Sequence, residues 1–185
     1  REFFAGIAEV IKCGIIGDKK ILQLLKSKRD QILKRNNNLI FKMCYLTLKT
    51  KLKFFINDVY EKDKRLSLNF GHTFAHAIEM AIERKIKKDY IRHGEAVGIG
   101  MLCEVFYEKG KKEKVYQTIK SLLENYNLPT NLSLKDIPFK KSNLQNSIYK
   151  NIFLDKKKID KYPRYISVKN FHKTKIKEIQ DFDLL

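Results

Sequence analysis

Cysteine is too sparse and too scattered in this chain to organise it. Cys13, Cys44 and Cys103 form no CxxC pair and are odd in number, which excludes a disulfide framework and a thiolate zinc cluster. They read instead as small apolar side chains buried in a reducing compartment. No apolar run approaches the roughly 18 residues of a membrane-crossing helix, so no membrane partner is expected. No repeat or low-complexity block divides the 185 residues, and one cored domain is the expectation. A glycine-rich strand–turn–helix signature for dinucleotide binding is also missing. Acidic residues are scarce, with 21 Asp and Glu against 39 Lys and Arg, a formal charge of +18. Such an excess raises nucleic acid, anionic membranes or phosphorylated substrates as partners. The lysines, however, are spread from Lys12 to Lys177 rather than clustered with aromatics, and no nucleic-acid-reading module is present. The abundance of Lys, Asn and Ile also fits a composition biased toward A/T-rich codons and a solvated basic surface.

What is present is mostly helical in period. Phe3, Phe4, Ile7, Ala8, Val10 and Ile11 recur at helical spacing, with Gly14 and Gly17-Asp18 closing the segment. Glu9 and Lys12 then share one face, three residues apart. Stretches 19–35 and 39–55 carry Leu and Ile at three- and four-residue intervals without Pro, and they read as helices joined at Asn36-Asn37-Asn38. Further helices are expected over 69–83, over 93–107, and, after the break at Gly110, to about Tyr126. Beyond Pro129 the pattern loosens into loop and short helix. Tyr165-Ile166-Ser167-Val168 gives the one convincing strand signal. The predicted class is mainly α, with at most a short hairpin near 158–168.

The chemistry concentrates in two stretches that hold three of the four histidines, Leu68-Asn69-Phe70-Gly71-His72-Thr73-Phe74-Ala75-His76-Ala77-Ile78-Glu79 and His93-Gly94-Glu95-Ala96-Val97-Gly98-Ile99-Gly100-Met101. His72 and His76, at i and i+4, project from one helix face, a spacing that a divalent metal can bridge through imidazole nitrogens. His93 opens a Gly/Ala-rich helix whose small residues permit close packing beside His72. A carboxylate would complete the donor set, and Glu9, Glu79 and Glu95 are all chemically suitable. Spacing alone does not choose among them.

Ala5-Gly6-Ile7-Ala8-Glu9-Val10-Ile11-Lys12, Leu68-Asn69-Phe70-Gly71-His72-Thr73 and His93-Gly94-Glu95-Ala96-Val97 together, in this order, resemble the 3-dehydroquinate synthase family, with a fainter echo at Asp155-Lys156-Lys157. The resemblance implies that residues 1–185 are the helical C-terminal metal- and substrate-binding domain of a two-domain α/β enzyme. The NAD-binding half would precede Arg1 and is absent from this chain. It implies Glu9, His72 and His93 as ligands of Zn2+ or Co2+, which moves His76 from the metal to the substrate. Lys51, Arg65, Asn69, His76 and Lys156 match substrate-binding positions, and Lys12, His76 and Asn69 are the implied catalytic groups.

The implied substrate is a small-molecule sugar phosphate, 3-deoxy-D-arabino-heptulosonate 7-phosphate, anionic at both ends. The implied reaction is transient oxidation of a ring hydroxyl with NAD, loss of phosphate, return of the hydride, ring opening and intramolecular aldol closure to 3-dehydroquinate. A cytoplasmic homodimer is implied for the complete enzyme, and no turnover for this chain alone. The sequence departs from the family pattern in a longer Lys-rich spacer between Glu79 and His93, in Cys13, and in Lys62-Asp63-Lys64 where a glycine is expected before Arg65. Rival readings are another sugar-phosphate cyclase or a metal-dependent polyol dehydrogenase on the same scaffold, and, from a different class, a non-catalytic basic domain binding nucleic acid. Lys51, Arg65, Asn69 and Lys156 weigh against the first pair. The last rests on charge alone and leaves three ordered His/Glu/Gly motifs without a purpose.

Overall fold

A computed structural model describes residues 1–56, 58–84, 90–133, 140–154 and 162–179. Its helices are α1 (Glu2–Ile16), α2 (Lys19–Ser27), α3 (Arg29–Leu33), α4 (Asn37–Ile56), α5 (His72–Glu83), α6 (His93–Lys109), α7 (Lys114–Asn125) and α8 (Lys141–Leu154). A 3-10 turn, Lys64–Asn69, leads into α5, and strands β1 (Arg164–Asn170) and β2 (Lys173–Glu178) form an antiparallel hairpin. The mainly helical class expected from periodicity is the one observed.

Helix α1 is the centre of the molecule. Every residue from Val10 to Ile16 is buried, because α1 packs against α2, α4, α6 and α7 at once. A helix enclosed on all sides is apolar around most of its circumference, and each fully buried Ile contributes roughly 1.5–3 kcal/mol. That enclosure carries α1 through Gly14 as far as Ile16, and of the expected closing residues it is Gly17-Asp18 that ends it. Gly14 lies under Leu22 of α2, and the helix closes when the Gly17 N–H donates to the Cys13 carbonyl.

Four other boundaries differ from the sequence expectation. The single helix foreseen over 19–35 is two, broken at Lys28 (φ −122, ψ 20), a bend that no Gly or Pro announces. The helix foreseen from Asn69 starts instead at His72, because Gly71 takes a left-handed conformation (φ 84). Helix α8 runs 14 residues where loop and short helix were expected. The hairpin occupies 164–178 rather than 158–168. Its second strand, Lys-Thr-Lys-Ile-Lys-Glu, is exposed almost throughout and so lacks the apolar alternation that marks a half-buried strand.

Two close approaches hold the bundle at the spacing the site requires. At Gly94 the backbone of α6 meets α1 so tightly that a Cβ would land on the Ala5 carbonyl. At Gly100 a Cβ would strike the carbonyl of Gly71, just before α5. Among the described residues no helix is long and apolar enough to cross a membrane. Helix α4 differs from the other long helices in leaving Phe41, Tyr45, Leu48 and Leu52 exposed along one stripe.

Candidate metal centre

Three helices deliver one cluster. Glu9 comes from the middle of α1, His72 from the first residue of α5, and His93 from the first residue of α6. One ligand atom from each lies within 4.8 Å of the others. His72 Nε2 stands 3.9 Å from Glu9 Oε1, and the His72 and His93 ring centroids are 5.2 Å apart. The close helix contacts at Gly94 and Gly100 make this convergence possible.

Charge is arranged tightly around Glu9. Lys12 Nζ donates to Oε1 at 2.7 Å and Lys51 Nζ to Oε2 at 3.0 Å. Burial alone would raise the Glu9 carboxyl, but the two ammonium groups hold it down at about 2, so it is ionised at any working pH. Lys12 is 2% exposed, and its pKa is lowered by that burial against the opposing pull of Glu9. The half-buried Lys51 is held up by Glu9 in spite of its own burial. Burial, and then the Lys12 charge, push His72 down to about 4. Its imidazole is therefore neutral at pH 7, with the Nδ1–H donating to the Phe70 carbonyl at 3.3 Å and Nε2 turned toward Glu9.

The donor set suits a divalent ion. Two imidazoles and a carboxylate are the donors of an open catalytic zinc site. A tetrahedral ion with bonds near 2.0–2.2 Å asks for ligand atoms roughly 3.4 Å apart. The Glu9–His72 pair therefore has to close only slightly.

The three carboxylates left open by spacing are now distinguishable. Glu9 faces His72. Glu79 lies 2.9 Å from His93 Nδ1. Glu95 points elsewhere, accepting from the Arg92 N–H at the start of α6 and from the Arg1 guanidinium. The bare i, i+4 reading of His72 and His76 does bring their rings to 5.5 Å, but His76 groups with Glu79 and His93 in a second, overlapping set of possible donors. It is exposed, whereas His72 is half-buried.

Of the expected substrate-binding residues, Lys51 is at the cluster, while Arg65 and Asn69 meet at Glu61. The Asn69 amide donates to Glu61 Oε1 at 2.8 Å, and Arg65 pairs with Oε2 at 3.6 Å. Arg65 also donates to the Val59 carbonyl and stacks on Phe55. In the turn before Arg65, where a glycine was expected, the Asp58 carboxylate accepts from the backbone N–H groups of Lys62, Asp63 and Arg65. Lys156 lies outside the described residues.

Sequence reasoning missed three groups here, Glu61, Glu79 as a partner of His93, and Glu104. Glu104 is fully buried on α6, and burial raises its carboxyl to about 8. The backbone N–H groups of Gly71, Thr73 and Ile166 face it, although neither oxygen reaches one at full hydrogen-bond geometry. It sits beneath the start of α5, the helix that carries His72. Glu61 stands four residues before Arg65, a local spacing that could have signalled their pairing, whereas Glu79 and Glu104 act across elements and carry no such signal.

The class is defined by fold. The chain superposes over 96% of its length, with a TM-score of 0.73 and 16% identity, on 47% of ValA, the 2-epi-5-epi-valiolone synthase of Streptomyces hygroscopicus subsp. jinggangensis, solved with NAD+ and Zn2+ bound. It also superposes over 93% of its length, with a TM-score of 0.62 and 22% identity, on 46% of a 2-deoxy-scyllo-inosose synthase complexed with carbaglucose-6-phosphate, NAD+ and Co2+. The chain thus shares the fold of about half of each of these two proteins. Within that class, residues 6–158 match the family model described as 3-dehydroquinate synthase C-terminal, and the chain belongs to that family. The 3-dehydroquinate synthase of Thermodesulfovibrio yellowstonii is 35% identical over the whole chain and 49% of its own length. That of Clostridium beijerinckii is 34% identical over 92% of the chain and 45% of its own length. The chain thus spans about half the length of the curated relatives it matches.

Proposed function

We propose that this chain is the metal- and substrate-binding half of a 3-dehydroquinate synthase, which converts 3-deoxy-D-arabino-heptulosonate 7-phosphate to 3-dehydroquinate and phosphate. The observation that carries the reading is the convergence of Glu9, His72 and His93 from three helices, with Lys12 and Lys51 on the carboxylate, in a chain of this family. Glu9, His72 and His93 would hold Zn2+ or Co2+. NAD would be held by a nucleotide-binding half outside these residues. When bound, the ion supplies Lewis acidity toward a substrate oxygen and NAD a reversible hydride acceptor.

The chain's own residues then have definable tasks. Lys12 and Lys51 keep Glu9 ionised and give the pocket the positive charge a doubly anionic substrate requires. Arg65 offers a planar fork for carboxylate or phosphate, while Lys51 and Lys156 supply point charges. Asn69 and His76 orient hydroxyl groups, with His76 facing the substrate rather than the ion. Because the substrate's phosphate can accept its own proton, these groups contribute orientation and charge complementarity more than strong basicity. In the complete enzyme the reading carries a homodimer in the cytoplasm, and in the isolated chain no turnover.

The test is metal stoichiometry and affinity in the purified chain. One equivalent of zinc is expected, lost in Glu9→Ala, His72→Ala and His93→Ala and kept in His76→Ala. A folded wild-type chain that binds none would sink the reading. In the full-length enzyme, turnover of the heptulosonate phosphate but not of glucose 6-phosphate or glycerol separates this function from other cyclases and polyol dehydrogenases.

A further inference from the structure

Glu79 has no role in the function proposed above, yet its carboxylate meets a donor of the metal cluster directly. His93 Nδ1 lies 2.9 Å from Glu79 Oε1, and Glu79 itself is 19% exposed. The three donors differ in how they are held. Glu9 is clamped by two lysines, and His72 is enclosed and tied to the Phe70 carbonyl. His93 is the first residue of α6 and its side chain is 50% exposed, so its ring is held by contacts with the His72 and His76 rings and with Glu79 rather than by enclosure in the core. A carboxylate oxygen accepts, so the contact directs Nδ1–H at Glu79 and turns Nε2 to the opposite side of the ring.

We infer that Glu79 is a positioning residue for the metal centre, locking the His93 ring and tautomer so that Nε2 faces Glu9 and His72. The inference rests on the Glu9–His72–His93 reading. Such a carboxylate contact also makes the imidazole a better donor, and removing comparable partners costs about 10–100-fold in metal affinity. Because Glu79 sits on α5 and His93 on α6, the contact also couples ring orientation to the packing of these two helices.

Zinc affinity and the visible absorption of the Co2+ form are to be measured on the chain for wild type, Glu79→Ala, Glu79→Gln and His76→Ala, with circular dichroism checking the fold. Glu79→Ala is expected to lose about 10–100-fold in affinity and to shift the Co2+ bands. Glu79→Gln keeps an acceptor for Nδ1 without the charge, so it is expected to fall between Glu79→Ala and wild type. His76→Ala is expected to bind as wild type does. Should Glu79→Ala fail to fold, Glu79→Gln carries the test, and wild-type affinity with wild-type bands there overturns the inference. Equal losses in His76→Ala and Glu79→Ala overturn it differently, because Glu79 would then be a ligand in the set it shares with His76 and His93. A wild-type chain that binds no zinc removes the metal centre itself and this inference with it, a result distinct from tight binding that ignores Glu79.

Discussion

At the scale of single residues the site holds two unusual buried ionisable groups. Lys12 is buried at 2% exposure and pairs with Glu9, so the two side chains are not equivalent when removed. Loss of Glu9 strands a buried ammonium, whereas loss of Lys12 leaves Glu9 partly exposed and still paired with Lys51. Breaking a buried pair typically costs about 3–5 kcal/mol, while an apolar replacement of similar volume is often close to neutral. Glu9→Ala is therefore expected to lower the urea midpoint of the metal-free chain clearly more than Lys12→Met; equal effects would mean that Lys12 is solvated in practice. Glu104 is the second case. Its carboxyl ionises at its ordinary value of 4.5 when unfolded but keeps its proton up to about 8 when folded, because it is buried. Between those values the native state binds more protons, so its contribution to stability is complete below the unfolded value and is lost as pH rises through the folded one. Glu104→Gln should flatten this decline and be more stable than wild type at about pH 8, by urea denaturation across that window. An unchanged pH profile would show that the carboxyl titrates normally.

At the scale of elements, the site depends on how closely α1, α5 and α6 approach. A Cβ at Gly94 would enter the Ala5 carbonyl, and backbone cannot swing aside as a side chain can. Gly94→Ala should push α6 from α1, cost about 1–3 kcal/mol or more, and weaken zinc binding out of proportion, since His93 adjoins it in sequence. Titration calorimetry beside a denaturation curve checks this, and a stable variant with wild-type affinity would refute it. Much of this architecture was legible beforehand, because apolar spacing in α1, α5 and α6 is set by burial on a regular helix. The break at Lys28 and the strand β2 were not, as neither is written in local chemistry: one is a break without Gly or Pro, the other a solvent-facing strand of alternating lysines. The site followed the same division. Glu9, His72 and His93 came from ordered motifs through resemblance, and unaided spacing favoured His72 with His76. The partners that fix the site, Glu61 beside Arg65 and Asn69 and Glu79 beside His93, depend on loop and helix geometry.

At the scale of the whole molecule, the three donors lie on helices that already pack on one another, α1 against α6 and α6 against α5. An ion joining Glu9, His72 and His93 would therefore cross-link the core itself rather than decorate an edge. Binding only to the native state stabilises by mass action, about 2.7 kcal/mol at free zinc one hundred times Kd. For a chain of this size, that is a rise of roughly 5–10 °C in Tm. The expected rise is absent in His93→Ala, where one of the three helices is disconnected, and reduced in Glu79→Gln. The net charge of +18 gives the companion arm: inorganic phosphate should also raise Tm by screening and binding, but it should do so in His93→Ala as well as in wild type. A scanning calorimetry series of both proteins with zinc and with phosphate separates the two effects. If zinc raises both proteins equally, it is acting on scattered surface groups, and the three helices are not joined by a metal.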